Sequence, residues 1–245
     1  MADNWADYRP ARPVDFVGRE AVQKNIFEFF ENVRERKTST RLVALKAPSG
    51  WGKSSSVLKI VDKARNIRNR SKYFVHSVDS RAALTRRFPE LAFVSAINSA
   101  IKSGFVPKIE GLSFGSAGHI FSTQAMQTIL DSLSTENKVI CVFFDQFEEL
   151  LFKEELVDVF DEMRRLCAAV EEAQANIVIG FSWKTDGTIT TEHSAYHLWH
   201  DLADRRLELD LPPFSEREVS LAIGRFGKEL GEPITHQLRR LLQDH

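Results

Sequence analysis

The stretch Ala47-Pro-Ser-Gly-Trp-Gly-Lys-Ser-Ser55 constrains this chain more than any other. It follows the apolar run Leu42-Val-Ala-Leu45 and precedes a segment of helical character, Ser54 to Ala64. A strand, a glycine-bearing loop and a helix opening on Lys-Ser make a phosphate-binding loop. Backbone N–H groups from Ser49 to Ser55, with Trp51 among them, would converge on a β-phosphate, where the helix N-terminus adds partial positive charge. Gly50 and Gly52 let the backbone turn sharply and approach the anion closely. Lys53 would bridge the β- and γ-phosphates, and Ser54 would ligate Mg²⁺. The leading glycine of G-x-x-x-x-G-K-[ST] is Ala47 here, which fits while φ stays negative. The competing reading is a chance Gly-x-Gly-Lys-Ser in a surface turn.

The rest of the pattern suits such a loop. Apolar runs predict strands over 41–46, 73–78, 139–144, 177–181 and 206–211. Helical spacing predicts helices over 19–36, 54–64, 89–102, from Ser122 or Thr123 to Leu133, and over 154–173. Ser215 to Glu218 has capping-box spacing for one more, and a further helix starts near Pro233. Strands separated by helices argue an α/β fold with a central parallel sheet and right-handed crossovers. Residues 1–17, with Pro10 and Pro13, read as an extended arm, and the glycine-spotted stretch 103–122 as a loop or insertion. The main domain is expected over 18–213 and the start of a helical lid over 214–245, where the chain stops inside an amphipathic pattern.

A formal net charge of −1 gives no overall pull toward nucleic acid or anionic membrane. Cys141 and Cys167 sit far apart in apolar contexts, which suits a reduced interior better than a disulfide framework. The N-terminus has no basic-then-apolar signal, and no run approaches the ~20 apolar residues of a membrane span, so a cytoplasmic protein is expected.

The run Lys138-Val-Ile-Cys-Val-Phe-Phe-Asp145 has the form of a strand that delivers an acid to Mg²⁺. Such an Asp sits at the carboxyl end of a central strand next to the phosphate loop. Gln146-Phe-Glu-Glu-Leu150 follows. Gln146 cannot accept a proton, so Glu148 or Glu149 is the candidate base or water orienter, with Glu148 favoured. The alternative is that both glutamates merely open the next helix, where acids suit its dipole.

Phe16-Val-Gly-Arg-Glu20 ahead of the first helix completes a resemblance. This hydrophobic-Gly-Arg-Glu string is similar to the adenine-binding segment of the AAA+ and STAND ATPases, which implies backbone contacts to adenine at Val17 and Gly18. Asp145-Gln-Phe-Glu-Glu-Leu150 resembles the signature of the novel STAND ATPases of bacterial conflict systems. It also parallels the Asp-Gly-x-Asp-Glu pattern of NACHT ATPases, with Glu148 as the first acid of the later pair. The resemblance runs from Phe16 to Phe214 and implies a P-loop NTPase three-layer sandwich. STAND relatives usually carry Arg-x-Asp after the fourth strand; here it is Lys184-x-Asp186, so Lys184 either senses the γ-phosphate or is a solvated loop lysine. Arg205 and Arg206 could add positive charge there or be ordinary strand-edge charges. Pro212-Pro-Phe214 resembles the junction into the lid helices.

Other signals are weaker. His193, His197 and His200 share helical spacing, yet no nearby cysteine joins them, and exposed helix histidines explain them better than a metal. The basic run Lys63, Arg65, Arg68, Arg70 and Lys72 closes the helix after the phosphate loop, where cations suit its C-terminus, with a nucleic-acid contact as the alternative. Trp51 could cover the nucleotide or pack on a neighbouring subunit.

The resemblance implies a slow or regulated ATPase, taking ATP or ADP with Mg²⁺, that switches between a closed monomer and an assembled, signalling state. In such relatives a recognised trigger drives self-association, in bacteria often for antiviral defence. The alternative is a nucleic-acid-handling AAA+ ATPase of the origin-recognition or transposition-helper kind, against which the near-neutral charge argues.

Overall fold

The computed structural model describes residues 10–109, 120–185 and 191–231, with positions 234, 235, 237 and 240 beyond them. Asp186 and the expected helix start at Pro233 lie outside the described residues. In chain order the elements are α1 (Glu20–Arg34), β1 (Leu42–Ala47), α2 (Lys53–Ala64), β2 (Tyr73–Asp79), α3 (Phe88–Lys102), α4 (Gln124–Thr135), β3 (Val139–Asp145), α5 (Val159–Ala173), β4 (Ile177–Lys184), α6 (Ser194–Asp201), β5 (Arg206–Asp210) and α7 (Glu216–Leu230). The strands form one five-stranded sheet in the order β2-β3-β4-β1-β5, every pair parallel.

Alternation along each strand sends neighbouring side chains to opposite faces. On one face Leu42 and Ala44 of β1, Ile140, Val142 and Phe144 of β3, and Ile177, Ile179 and Phe181 of β4 pack under α3, α4, α5 and α6. On the other, Val43 and Leu45, Val75, Cys141 and Phe143, and Val178 pack under α1 and α2. Both faces are covered, which is why the strands read as continuous apolar runs. The result is a three-layer α/β sandwich around a parallel sheet. Both cysteines are buried and unbridged. No described helix is long and apolar enough to cross a membrane.

Several boundaries differ from the sequence reading. β4 runs on to Lys184 because Ser182, Trp183 and Lys184 pair with Leu45, Lys46 and Ala47; pairing with β1 carries the strand past its apolar stretch. The helix expected from Glu154 is a 3₁₀ turn, Glu154–Leu156, followed by α5. The basic run mostly lies past the end of α2, at Ala64, and only Lys63 sits in the last turn. Thr123 caps α4 by accepting from Met126 N, and Ser215 with Glu218 forms the expected capping box on α7. Residues 10–17 do not stand away as an arm: Ala11 N donates to Ser55 Oγ at 3.0 Å and Lys59 donates to Pro13 O at 2.8 Å.

Candidate functional site: the phosphate loop and its acids

The loop between β1 and α2 takes positive φ at Gly50 (79°) and Gly52 (85°), values an L side chain rarely adopts. Ser49 and Gly50 are exposed at its tip, and Trp51 is half-buried against the α1–α2 side of the core. Lys53 opens α2 and is buried. Its Nζ donates to Ala47 O at 3.0 Å and Pro48 O at 3.2 Å, so the ammonium lies inside the curl of the loop. Glu148 Oε1 stands 3.9 Å from it.

Strand β3 carries Asp145 to the same sheet edge, but β3 does not neighbour β1; β4 lies between them. The intervening strand supplies Ser182, whose hydroxyl donates to Asp145 Oδ1 and accepts from Gln146 N at 2.8 Å. Gln146 N also donates to Asp145 Oδ1 at 3.1 Å, and Ser54 hydrogen-bonds the same carboxylate. Gln146 Nε2 reaches Ser54 Oγ at 3.2 Å. Ser54, Asp145, Gln146 and Ser182 are thus one connected polar cluster across α2, β3 and β4. Burial raises the Asp145 pKa above the usual carboxylate range, opposed by the bonds from Ser182 and Ser54.

After Gln146, held in the left-handed region at φ 54°, the chain makes a 3₁₀ turn over Phe147–Phe152. Phe147 goes into the core beneath Phe181 and Trp183, which turns Glu148 toward Lys53. Glu148 is buried and its pKa is pushed up to about 7, by desolvation first, with Lys53 opposing and Asp145 and Glu149 adding to the rise. Glu148 Oε2 is buried without a hydrogen-bond partner. Glu149 is half-buried, in a turn closed by its N–H to Gln146 O. Of the two glutamates, Glu148 is the one brought to Lys53.

The remaining candidates divide. Val17 and Gly18 are buried before α1, near the loop through Arg19, whose Nη2 donates to Trp51 O at 3.2 Å. Ser55 is engaged by the backbone of Ala11. Lys184 ends β4 directly beside Ala47, so it belongs to the strand and not to a loop. Arg205 and Arg206 lie at the amino end of β5, opposite the phosphate loop. Arg205 pairs with Glu171 at 3.5 Å, while Arg206 bonds Glu208 and lies 3.7 Å over Trp199. They supply no charge to the site. His193 caps α6 through Nδ1, accepting from Ala195 N, and the described residues hold no group of three or more His, Cys, Asp or Glu fit for a metal.

Sequence reasoning assigns no role to Ser182 or Arg19, and sets Gln146 aside only as a base. For Ser182 the only signal is register: a hydroxyl one residue past an apolar run, on the strand that happens to separate β1 from β3. The cluster fits a magnesium nucleotide on its own chemistry. Ser54 and Asp145 are hard oxygen donors of the type magnesium takes. Lys53 and the loop's N–H groups suit phosphate, and the buried Glu148 oxygen lacks the hydrogen-bond partner that a bound water would supply.

A family model described as Novel STAND NTPase 1 matches residues 5–244. A search of curated protein sequences finds no match. Among solved structures, the chain is similar to the Aeropyrum pernix ORC2 protein in ADPNP–ADP complexes. That match has a TM-score of 0.54 and 14% identity, over 93% of this chain and 56% of that one. It is also similar to a chain of the E. coli MS115-1 HORMA:CdnC:Trip13 complex, with a TM-score of 0.55 and 12% identity, over 94% of this chain and 74% of that one. These likenesses show the fold, and the chain spans little more than half the ORC2 chain.

Proposed function

The chain belongs to the novel STAND NTPase 1 family, and from that premise we propose that it binds ATP with Mg²⁺ and hydrolyses it slowly as a switch. The observation that supports this most is the meeting of Lys53, Ser54, Asp145 and Glu148 at one sheet edge. Lys53 would exchange the carbonyls of Ala47 and Pro48 for the β- and γ-phosphates. Ser54 and Asp145 would hold magnesium, which supplies charge neutralisation on the triphosphate. Ser182 and Gln146 keep those two oxygens oriented. Glu148 would take a proton from the attacking water; the nearby ammonium favours its charged form and burial its neutral form, which leaves it poised near neutrality. Glu149 is a poorer base, because it lies outside the Lys53 contact. Lys184, which pairs with Ala47, would sense the γ-phosphate, and Val17 and Gly18 would contact the base.

The switch part of the proposal is that nucleotide state biases how α7 sits on the sheet domain, with self-association as the outcome and antiviral signalling as the role. It rests on likeness to STAND relatives. The division at 213/214 and the cytoplasmic location belong to the same reading.

Nucleotide binding and turnover by the purified chain test it, with Lys53→Ala and Glu148→Gln alongside. Lys53→Ala should lose at least about tenfold in ATP affinity. Glu148→Gln should keep ATP while turnover falls by about 10²-fold or more. Turnover that rises with added DNA would instead support the nucleic-acid alternative, and equal turnover in Glu148→Gln would remove its role as base.

A further inference from the structure

Arg19 is buried, and its guanidinium touches two segments far apart in the chain. Nη2 donates to Trp51 O in the phosphate loop at 3.2 Å, Nη1 donates to Pro212 O after β5, and the group lies 4.1 Å from the centre of the Phe214 ring. The backbone on either side is fixed as tightly. Gly18 and Arg19 both have positive φ, 73° and 59°. Arg19 N donates at 2.8 Å to Glu218 Oε1, while Glu218 Oε2 accepts from Ser215 N and Oγ. One carboxylate therefore caps α7 and closes the 18–19 corner. A Cβ on Gly18 would fall 2.1 Å from Glu218 Oε1, so only glycine permits the approach. A non-glycine residue in the left-handed region persists where its surroundings over-determine it.

The Trp51 contact reaches the anion site through one peptide plane. In a trans peptide, C=O and N–H point in opposite directions. Holding the Trp51 carbonyl toward Arg19 therefore turns the Gly52 N–H away from that side chain, and a cationic donor on the carbonyl polarises that N–H further. Gly52 has no side chain and sits at φ 85°, so its own conformational preference fixes that plane less than an L residue's would.

We propose that Arg19 is a positioning residue that couples the phosphate loop to α7: it orients the Gly52 amide for phosphate and reports that orientation to Pro212, Phe214 and the α7 N-terminus. The coupling rests on the nucleotide-binding reading above. Phosphate drawn to the Gly52 amide tightens the peptide against Arg19, and the same guanidinium then holds the 212–214 segment harder. Displacement of α7 withdraws Pro212 O and Phe214, and the loop amide loses its fixed direction.

The test measures ADP affinity and amide hydrogen exchange, with and without ADP, on the full chain and on Arg19→Lys and Phe214→Ala. In the unsubstituted chain ADP should slow exchange both in the loop, 49–54, and at the start of α7, 215–219. Arg19→Lys should bind ADP about tenfold more weakly; at saturating ADP the loop should still be protected, but α7 should not. Phe214→Ala strips only the aromatic contact on the α7 side from an exposed residue. It should weaken ADP by roughly two- to fivefold and lose the same α7 protection. A purely structural role would lower stability without separating the two protections. Unchanged α7 protection in Phe214→Ala overturns the proposal even if Arg19→Lys does not fold. No ADP uptake by the unsubstituted chain would remove the nucleotide reading itself; normal uptake with variants that behave like it would remove only the coupling.

Discussion

Lys53 Nζ and Glu148 Oε1 stand 3.9 Å apart with both side chains buried, so the candidate phosphate-binding cation and the candidate base share one desolvated environment. The Glu148 pKa of about 7 lies above its usual 4.5. Between those values the folded chain binds more protons here than the unfolded chain, so this group's contribution to stability is fully present below pH 4.5. It is lost as pH rises through 7. Glu148→Gln should therefore gain stability relative to the unsubstituted chain on going from pH 5 to pH 8, on the order of 2 kcal/mol. Urea unfolding at both pH values measures it. An offset that does not change with pH would mean that Glu148 ionises normally. Turnover should show the same group from the other side, rising as pH passes about 7 because the base must be ionised.

Ser182, near the carboxyl end of β4, ties that strand to the end of its neighbour β3. Its hydroxyl donates to Asp145 and accepts from Gln146 N. Ser182→Ala leaves both without that partner at a buried position, which should cost about 1–3 kcal/mol of stability. The Mg²⁺ concentration that half-saturates turnover should rise by roughly tenfold, since second-layer hydrogen bonds to a metal ligand typically carry that much. Ser182→Thr keeps the hydroxyl and should restore both. A magnesium titration of ATP turnover reads the first effect, and an unshifted midpoint in Ser182→Ala would separate Ser182 from the metal.

The parts of this site that could be read from the sequence are those whose chemistry is local. Gly50, Gly52, Lys53 and Ser54 lie on one turn, so their types and spacing declare the loop. Asp145 ends an apolar run that any strand buried on both faces would show. Ser182 was illegible because its meaning depends on strand order: β4 is inserted between β1 and β3, and nothing in 177–184 says so. The same order explains why β4 outruns its apolar stretch. Arg19 was visible only as a letter in Gly-Arg-Glu, since its acceptors at Trp51 and Pro212 lie 32 and 193 residues away. Of the two readings open for Arg205 and Arg206, the structure bears out strand-edge charges. Residues that precede a strand of a parallel sheet stand at its amino end, away from the loop that follows β1.

Arg41 gives the complementary expectation at the sheet's other end. It is 2% exposed, and its guanidinium donates to four carbonyls: Thr38 O at 2.7 Å, Thr40 O at 3.0 Å, Ala175 O at 2.6 Å and Gln174 O at 3.2 Å. Two acceptors precede β1 and two belong to the turn from α5 into β4, where Gln174 is in the left-handed region at φ 44°. The side chain thus closes the amino ends of the two adjacent strands that carry the loop and Ser182 at their carboxyl ends. Arg41→Met keeps the aliphatic stem and strands four acceptors, so a loss of about 3–5 kcal/mol is expected. Arg41→Lys, with a compact ammonium in place of the planar fork, should recover only part of it. Because the site lies at the opposite sheet edge, ADP affinity of the folded fraction should stay within about twofold, as distant independent sites behave. Chemical denaturation alongside ADP binding well below the unfolding midpoint checks both halves. A large affinity loss in a stably folded Arg41→Met would show that the strand ends communicate along β1 and β4.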